Sequence, residues 1–351
     1  MSNPDHSQDA KDRYFMMLAI EQAKLGLYST RPNPAVGCVI VQAEEVIGQG
    51  FHAKAGQPHA EVFALKDAGT KALGATAYVT LEPCSHMGRT PPCAQALVES
   101  GVKRVVVAGL DPNPQVAGRG VRLLEQAGID VTVGILTAQA EALNKGFLKA
   151  MRMQMPYVRL KIATSLDGRT AMANGQSKWI TGTAAREDVQ KLRAQSGAII
   201  TGSETVIIDN PQLNVRSHQL GIAFEEVPRP KVVILDRRGR LKHDPESDYQ
   251  LCRRTDTLYW CDDDLTELLT LLVSEYQCYD VLIEAGASVA GSFLQQQLVD
   301  ELIVYQAPCL LGQQARAMVN INPLSLAQQL RFNIECHEQL GSDLKLTLLP
   351  V

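Results

Sequence analysis

Short apolar runs alternate along the first third of the chain with stretches whose apolar positions recur every three or four residues. Over residues 9–26, Tyr14, Leu18, Ala19, Gln22 and Leu25 fall near one face, and Gly26 can cap the end, so a helix is expected. Residues 36–41 form a short β-branched run, and 46–51 follow it after a turn, which predicts a hairpin. Helices are expected at 59–68, 93–100 and 120–127, and strands at 75–81, 102–109 and 130–133. Because helices separate these later strands, the strands should run parallel in a layered α/β sheet.

The pattern resets near residues 149–156. The segment Met151-Arg-Met-Gln-Met-Pro156 reads as irregular, and a new strand begins at 157–163. Further strands are expected at 198–201, 231–236, 281–284, 302–307 and 344–349, with helices at 184–194 and 265–276 between them. Residues 217–230, polar with two prolines, read as a surface loop. The expected organisation is two α/β domains, 1–150 and 151–351. At roughly 150 residues per domain, the length of 351 agrees.

Composition narrows the class. With 45% hydrophobic and 21% charged residues, the chain is neither disordered, fibrous nor a coiled coil. No apolar run reaches ~18 residues, so no membrane span is expected. The first twelve residues mix acids and bases and resemble no targeting segment. Residues 1–150 hold 14 bases and 14 acids, so the net charge of −4 falls on the rest. Neither half has the basic surplus of a phosphate-backbone binder, and no nucleic-acid partner is expected. Eight cysteines spread over this length do not make a disulfide scaffold. They indicate a reducing cytoplasm.

One constellation carries sharper chemistry: His59-Ala-Glu61, then Pro83-Cys84, then Cys93. One imidazole and two thiolates suit Zn²⁺, and three ligands leave a fourth position open, the mark of a catalytic site. Two thiolates cancel the metal's formal charge, so a nearby base is needed. Glu61 is placed to move protons without ligating. The order matches the His-x-Glu and Pro-Cys signature of zinc deaminases acting on nucleobases, except that eight residues, not two, separate the cysteines. Arg31-Pro-Asn-Pro-Ala-Val-Gly37 precedes the first strand, and Asn33 can offer a heterocycle both a donor and an acceptor. His52 and His86 are expected to line the substrate pocket.

The run Leu81-Glu-Pro-Cys-Ser-His-Met-Gly-Arg-Thr-Pro-Pro-Cys93 closely resembles the bifunctional deaminase–reductases of riboflavin biosynthesis, whose cysteine spacer is also long. Asp111-Pro-Asn-Pro-Gln-Val-Ala-Gly-Arg-Gly120, Asn144-Lys-Gly-Phe147, Ser165-Leu-Asp-Gly-Arg169 and Trp179-Ile-Thr181 match as well. The resemblance implies a cytidine-deaminase-like three-layer α/β/α domain followed by a dihydrofolate-reductase-like α/β domain. It implies zinc-dependent deamination of 2,5-diamino-6-ribosylamino-4(3H)-pyrimidinone 5′-phosphate, then NADPH-dependent reduction of its ribosyl group to ribityl. It also implies a homo-oligomer, dimer or tetramer.

In the second half the resemblance places Lys161, Asp209 and Glu284 around the reacting sugar, and any of the three could handle protons. Ser177, Arg193 and Arg216 are expected to hold the substrate and its phosphate, with Leu213 nearby; arginine suits that task through its forked donors. Ala163, Trp179, Thr205 and Asp209 map onto cofactor contacts. Gly286, Ala287, Ser288, Val289, Ala290, Gly291 and Ser292 form a strand–glycine–helix turn whose backbone N–H groups can cradle a pyrophosphate. Arg237, with Arg238, could meet the 2′-phosphate of NADPH. A tRNA-type nucleic-acid deaminase with an accessory domain is the rival reading, since it would share His59, Glu61, Cys84 and Cys93.

Overall fold

A computed structural model describes residues 4–85, 92–113, 117–216 and 219–351. The chain divides into two compact units, Met1–Met153 and Gln154–Val351.

The first unit runs α1 (Pro4–Leu25), β1 (Gly37–Gln42), β2 (Glu45–Phe51), α2 (Ala60–Ala68), β3 (Thr76–Val79), α3 (Cys93–Glu99), β4 (Arg104–Val107), α4 (Arg119–Gln126), β5 (Asp130–Val133), α5 (Thr137–Ala142) and α6 (Lys145–Met153). Its five strands lie in the order β2-β1-β3-β4-β5. The β1–β2 hairpin is antiparallel, as are β1 and β3, whereas β3, β4 and β5 run parallel. Alternation along the strands feeds two cores. Cys38, Ile40, Ala77, Val79, Val105 and Val107 face α2, α3 and α4; Val39, Val41, Tyr78 and Val106 face α1 and α5. The result is three layers, α/β/α.

Helix α2 sits unusually close to the sheet. A Cβ on Gly50 would lie 2.6 Å from the Ala60 carbonyl oxygen, so only glycine lets the alanine face of α2 (Ala60, Ala64, Ala68) rest on β2. That contact fixes the start of α2, where His59 stands at the N-cap.

The segment 151–156 departs from expectation. Helix α6 continues through Met153 because Met and Arg are good helix formers, and it stops where Gln154 takes a φ of 55° ahead of Pro156.

The second unit contains β6 (Tyr157–Ser165), β7 (Arg169–Ala171), α7 (Thr183–Gln195), β8 (Ala198–Gly202), α8 (Ser203–Asp209), β9 (Lys231–Leu235), β10 (Leu258–Trp260), α9 (Leu265–Ser274), β11 (Asp280–Ile283), α10 (Ala287–Gln295), β12 (Glu301–Ala307), β13 (Arg316–Ala317), β14 (Phe332–Leu340) and β15 (Asp343–Pro350). Its main sheet has the order β10-β9-β8-β11-β6-β12-β15-β14. The first six strands in that order run parallel, and the β14–β15 hairpin joins antiparallel through β15 to β12. Val158, Leu160 and Ile162 of β6 point to the core under α9 and α10, so Lys161, one position out of phase, faces the α7 side. Helix α9 is started by Asp264, whose side chain accepts a hydrogen bond from the Glu267 N–H at 2.9 Å. Among the described residues no helix is long and apolar enough to cross a membrane.

A candidate zinc centre and a candidate reductase pocket

Two helix starts and the loop after β3 converge in the first unit. His59 caps α2, Cys84 follows the end of β3, and Cys93 opens α3. Their ligand atoms all lie within 4.8 Å of one another. His59 Nδ1 is 3.6 Å from Cys84 Sγ and 3.2 Å from Cys93 Sγ. With Zn–S near 2.3 Å and Zn–N near 2.05 Å, a tetrahedral N···S edge is about 3.6 Å. The donor set and spacing therefore fit zinc.

The electrostatics agree. Hydrogen bonding from the Cys93 thiol draws the Cys84 thiol well below its ordinary range, so a thiolate is favoured. The Cys93 backbone N–H also points to that sulfur at 3.3 Å. Burial pushes the Glu61 carboxyl up to about 7. Its Oε2 is buried and has no hydrogen-bond partner among the described residues, an orphaned oxygen beside three metal-type donors. A carboxyl poised near neutrality can both take and return a proton.

His52 is buried next to His59, with ring centroids 5.3 Å apart and edge to face. Burial lowers its pKa, so the ring stays neutral. Nδ1 lies 3.1 Å from the Pro58 carbonyl and therefore carries the proton, which leaves Nε2 to accept from Asn33 Nδ2 at 3.0 Å. Asn33, His52 and His59 thus form one connected rim. His86 lies outside the described residues.

Sequence reasoning missed Glu82, although it quoted the run that contains it. Glu82 is buried and accepts four backbone N–H groups: Gly120 (2.9 Å) and Val121 (3.3 Å) on Oε1, Gly118 (2.9 Å) and Asp111 (3.2 Å) on Oε2. It ties the loop after β4 to the loop after β3, two residues before Cys84. Gly120 is glycine because a Cβ there would strike the Pro83 carbonyl. The only sequence signal is a glutamate in an otherwise apolar strand end, since its partners are backbone groups.

In the second unit Lys161 from the middle of β6, Glu284 just past the end of β11 and Arg193 from the last turn of α7 come together. Arg193 holds Glu284 with two bonds, Nε–Oε1 at 2.6 Å and Nη2–Oε2 at 2.9 Å, and Lys161 Nζ lies 3.7 Å from Oε2. Burial pushes the Lys161 ammonium below its ordinary range, and Glu284 only partly restores it. Burial alone would raise the Glu284 carboxyl, but Arg193 and Lys161 outweigh it and hold the group ionised. Arg193 also donates to the Asn214 carbonyl, next to the buried Leu213, and so fixes the strip that leads to Arg216. The Arg216 guanidinium touches Gln212. Ser177 donates to Asp209 at 3.0 Å, and Lys178 to the Asp209 carbonyl.

The cofactor-type residues are placed as follows. Ala163 is on β6, Thr205 on α8, and Gly286 caps α10, where a Cβ would meet nothing within 4 Å. The N–H groups of Ala287, Ser288 and Val289 start α10 and have no intrahelical acceptor. Ala290 and Gly291 pack inward, and Ser292 bonds back to the Ser288 carbonyl. This open helix start, at the C-terminal edge of a parallel sheet, fits a pyrophosphate. Trp179 is 67% exposed with Arg186 stacked on its ring, and Arg237 pairs with Asp263 in solvent.

A His–Cys–Cys centre with a buried carboxylate beside it defines a zinc-dependent deaminase-type site, and the chain adds a second α/β unit with its own buried polar cluster. Residues 9–109 match the cytidine and deoxycytidylate deaminase zinc-binding region, and residues 156–346 match the RibD C-terminal domain. Riboflavin biosynthesis protein RibD of Haemophilus influenzae is 48% identical, over 97% of this chain and 98% of its own. That of Escherichia coli is 46% identical, over 97% and 99%. A solved structure of Acinetobacter baumannii RibD superposes with a TM-score of 0.92 at 57% identity, covering 98% of this chain and 99% of its own. A deaminase/reductase structure from Thermotoga maritima gives 0.86 at 32%, covering 98% and 100%. The chain belongs to the RibD family, the bifunctional deaminase–reductases of riboflavin biosynthesis. The tRNA-type alternative is not favoured, because the relatives match both units together.

Proposed function

We propose that the two units act in sequence on one pyrimidine ribosyl phosphate. The first, taken as residues 1–150, hydrolyses the ring amine of 2,5-diamino-6-ribosylamino-4(3H)-pyrimidinone 5′-phosphate. The second, residues 151–351, reduces the ribosyl group of the product to ribityl. The observation that carries this reading is the His59–Cys84–Cys93 triangle with the orphaned Glu61 oxygen beside it.

In the deaminase site zinc, held by His59, Cys84 and Cys93, supplies the Lewis acidity that makes water a nucleophile near neutral pH. Glu61 Oε2 takes one proton from the water as its oxygen bonds to the ring carbon and passes it to the ring nitrogen, then carries the second proton, from the added hydroxyl, to the amine, which leaves as ammonia. Asn33 and His52, with His86, hold the heterocycle at the rim.

In the reductase site NADPH supplies hydride. Lys161, Glu284 and Asp209 surround the sugar carbon and stabilise its open-chain form. Ser177, Leu213 and Arg216 line the sugar phosphate's end, while Arg193, expected there too, instead holds Glu284 and the Asn214 carbonyl. The helix start at Gly286–Ser292 takes the cofactor pyrophosphate, with Ala163, Trp179, Thr205 and Asp209 alongside, and Arg237 meets the 2′-phosphate.

We also take the chain to be a cytoplasmic homo-oligomer. No disulfide joins any of its eight cysteines. The β14 edge is almost wholly solvent-facing and carries Ile334 at 64% exposure. Edges of this kind pair or are covered in native assemblies.

Metal analysis combined with NADPH consumption on the pyrimidine phosphate tests the reading. One zinc per chain is expected, with NADPH oxidised only after ammonia release. Deamination of an RNA stem-loop instead of the small substrate would reject it, and sedimentation at micromolar concentration decides the assembly.

A further inference from the structure

We infer that Asn144 is a positioning residue of the deaminase site, acting through the backbone of residues 31–36 on Asn33. The Asn144-Lys-Gly-Phe147 motif stands out in the sequence, yet none of the chemistry above uses it. The structure gives its first residue a definite task. Asn144 is 8% exposed and lies between α5 and α6. Its side-chain amide pairs with the backbone of Ala35 in both directions: Nδ2 donates to the Ala35 carbonyl at 2.9 Å, and Oδ1 accepts the Ala35 N–H at 2.7 Å. The two groups are 109 positions apart in sequence.

The loop needs such an outside partner. Pro32 and Pro34 have no N–H, so the segment before Ala35 can make few bonds to itself. One tie within it is Asn33 N–H to the Thr30 carbonyl. Beyond Ala35 the chain is secured again, where Val36 accepts from His52 N–H and Gly37 donates to Thr80. The Asn144 clamp closes the gap between these anchors. It sets where Asn33 sits relative to His52, and through His52 relative to the ligand His59. Because Asn33 Nδ2 is committed to His52, its carbonyl oxygen is the group left to accept from a ring amine. Without the clamp, that oxygen would be placed only by the loop and by the single Asn33–His52 bond, too little to hold a hydrogen-bond geometry closely.

This inference rests on the reading of Asn33 as a substrate contact, and the test separates the two. In the full-length, zinc-loaded enzyme, KM and kcat for deamination are measured for N33A, N144A, N144D and the N33A/N144A double variant. Loss of one well-placed hydrogen bond costs on the order of tenfold in binding, so N33A should raise KM about tenfold. N144A should raise KM about five- to tenfold, with kcat changed by less than about twofold, since neither the ligands nor Glu61 move. The double variant should be no worse than N33A alone, because Asn144 has nothing left to position. Zinc content and the reductase rate report folding and should match the unmodified enzyme. N144D keeps the volume and the acceptor for the Ala35 N–H but sets oxygen against the Ala35 carbonyl. It should raise KM on the same scale and carries the test if N144A folds poorly. An unchanged KM in both Asn144 variants, or effects that multiply in the double variant while N33A alone is impaired, overturns the inference alone. An unchanged KM in N33A overturns the Asn33 reading and this one with it.

Discussion

Glu61→Gln should keep its zinc, lose deamination and leave reduction intact. General acid–base groups contribute about 10²–10⁴-fold, and Glu61 is a buried carboxylate with an unpartnered oxygen beside the His59–Cys84–Cys93 triangle, so the deaminase rate should fall within that range. Gln is nearly isosteric and uncharged. It fits a site where burial already pushes the carboxyl up to about 7 and Oε2 has no partner to lose. Folding should therefore change little. Metal analysis should still find one zinc per chain, because Glu61 is not among the three ligand atoms that meet. The second unit has its own sheet and core, so a supplied deaminated substrate should be reduced at the ordinary rate. Normal deamination by this variant would remove Glu61 from the proton path. Loss of zinc would mean that the carboxylate supports the metal and not the proton.

What could be read from the sequence follows from which interactions are local. Strands with one or both faces buried announced themselves. The Cys38–Val41 run, the Val105–Val107 run and the core positions of β6 are β-branched or alternating, and they fold as expected. The His59–Cys84–Cys93 group was legible because metal chemistry restricts residue type, and with Glu61 these residues in order suffice even with a long spacer. The β14 strand was not legible, since Asn333 to Gln339 is exposed on both faces and no alternation is imposed on it. β10 has three residues, too few for a period to show. The α5–α6 pair also went unread, because its six- and nine-residue helices bury little beyond Ala140, Gly146, Leu148 and Ala150. Glu82 and Asn144 escaped for another reason. Both bond to main-chain groups far along the chain, and a backbone partner leaves no residue type to recognise. The Arg193–Glu284 pair shows the same limit in the reductase pocket. Each residue was singled out, but a guanidinium expected to face phosphate holds a carboxylate with two bonds, and only the fold could bring those positions together.

That pairing makes Lys161→Ala the informative change in the second unit. Reduction should fall about 10²–10³-fold, the usual cost of removing one preorganised charged donor from a desolvated site, while deamination stays within about twofold. Arg193 keeps both Glu284 oxygens bonded at 2.6 and 2.9 Å after Lys161 is gone, so no buried charge is stranded. Lys161 is also the weaker partner, at 3.7 Å, and its ammonium is already disfavoured by burial. The variant should therefore melt close to the unmodified protein, and its loss of rate should reflect chemistry. Glu284→Ala is the contrasting case. It leaves Arg193 and Lys161 together, buried and uncompensated, a change that typically costs about 3–5 kcal/mol, so lowered stability would obscure any catalytic effect. Single-turnover reduction with saturating NADPH would locate the Lys161 defect in the hydride step. A normal rate there, or a parallel loss of deamination, would show that Lys161 serves the fold and leave Asp209 or Glu284 to carry the proton.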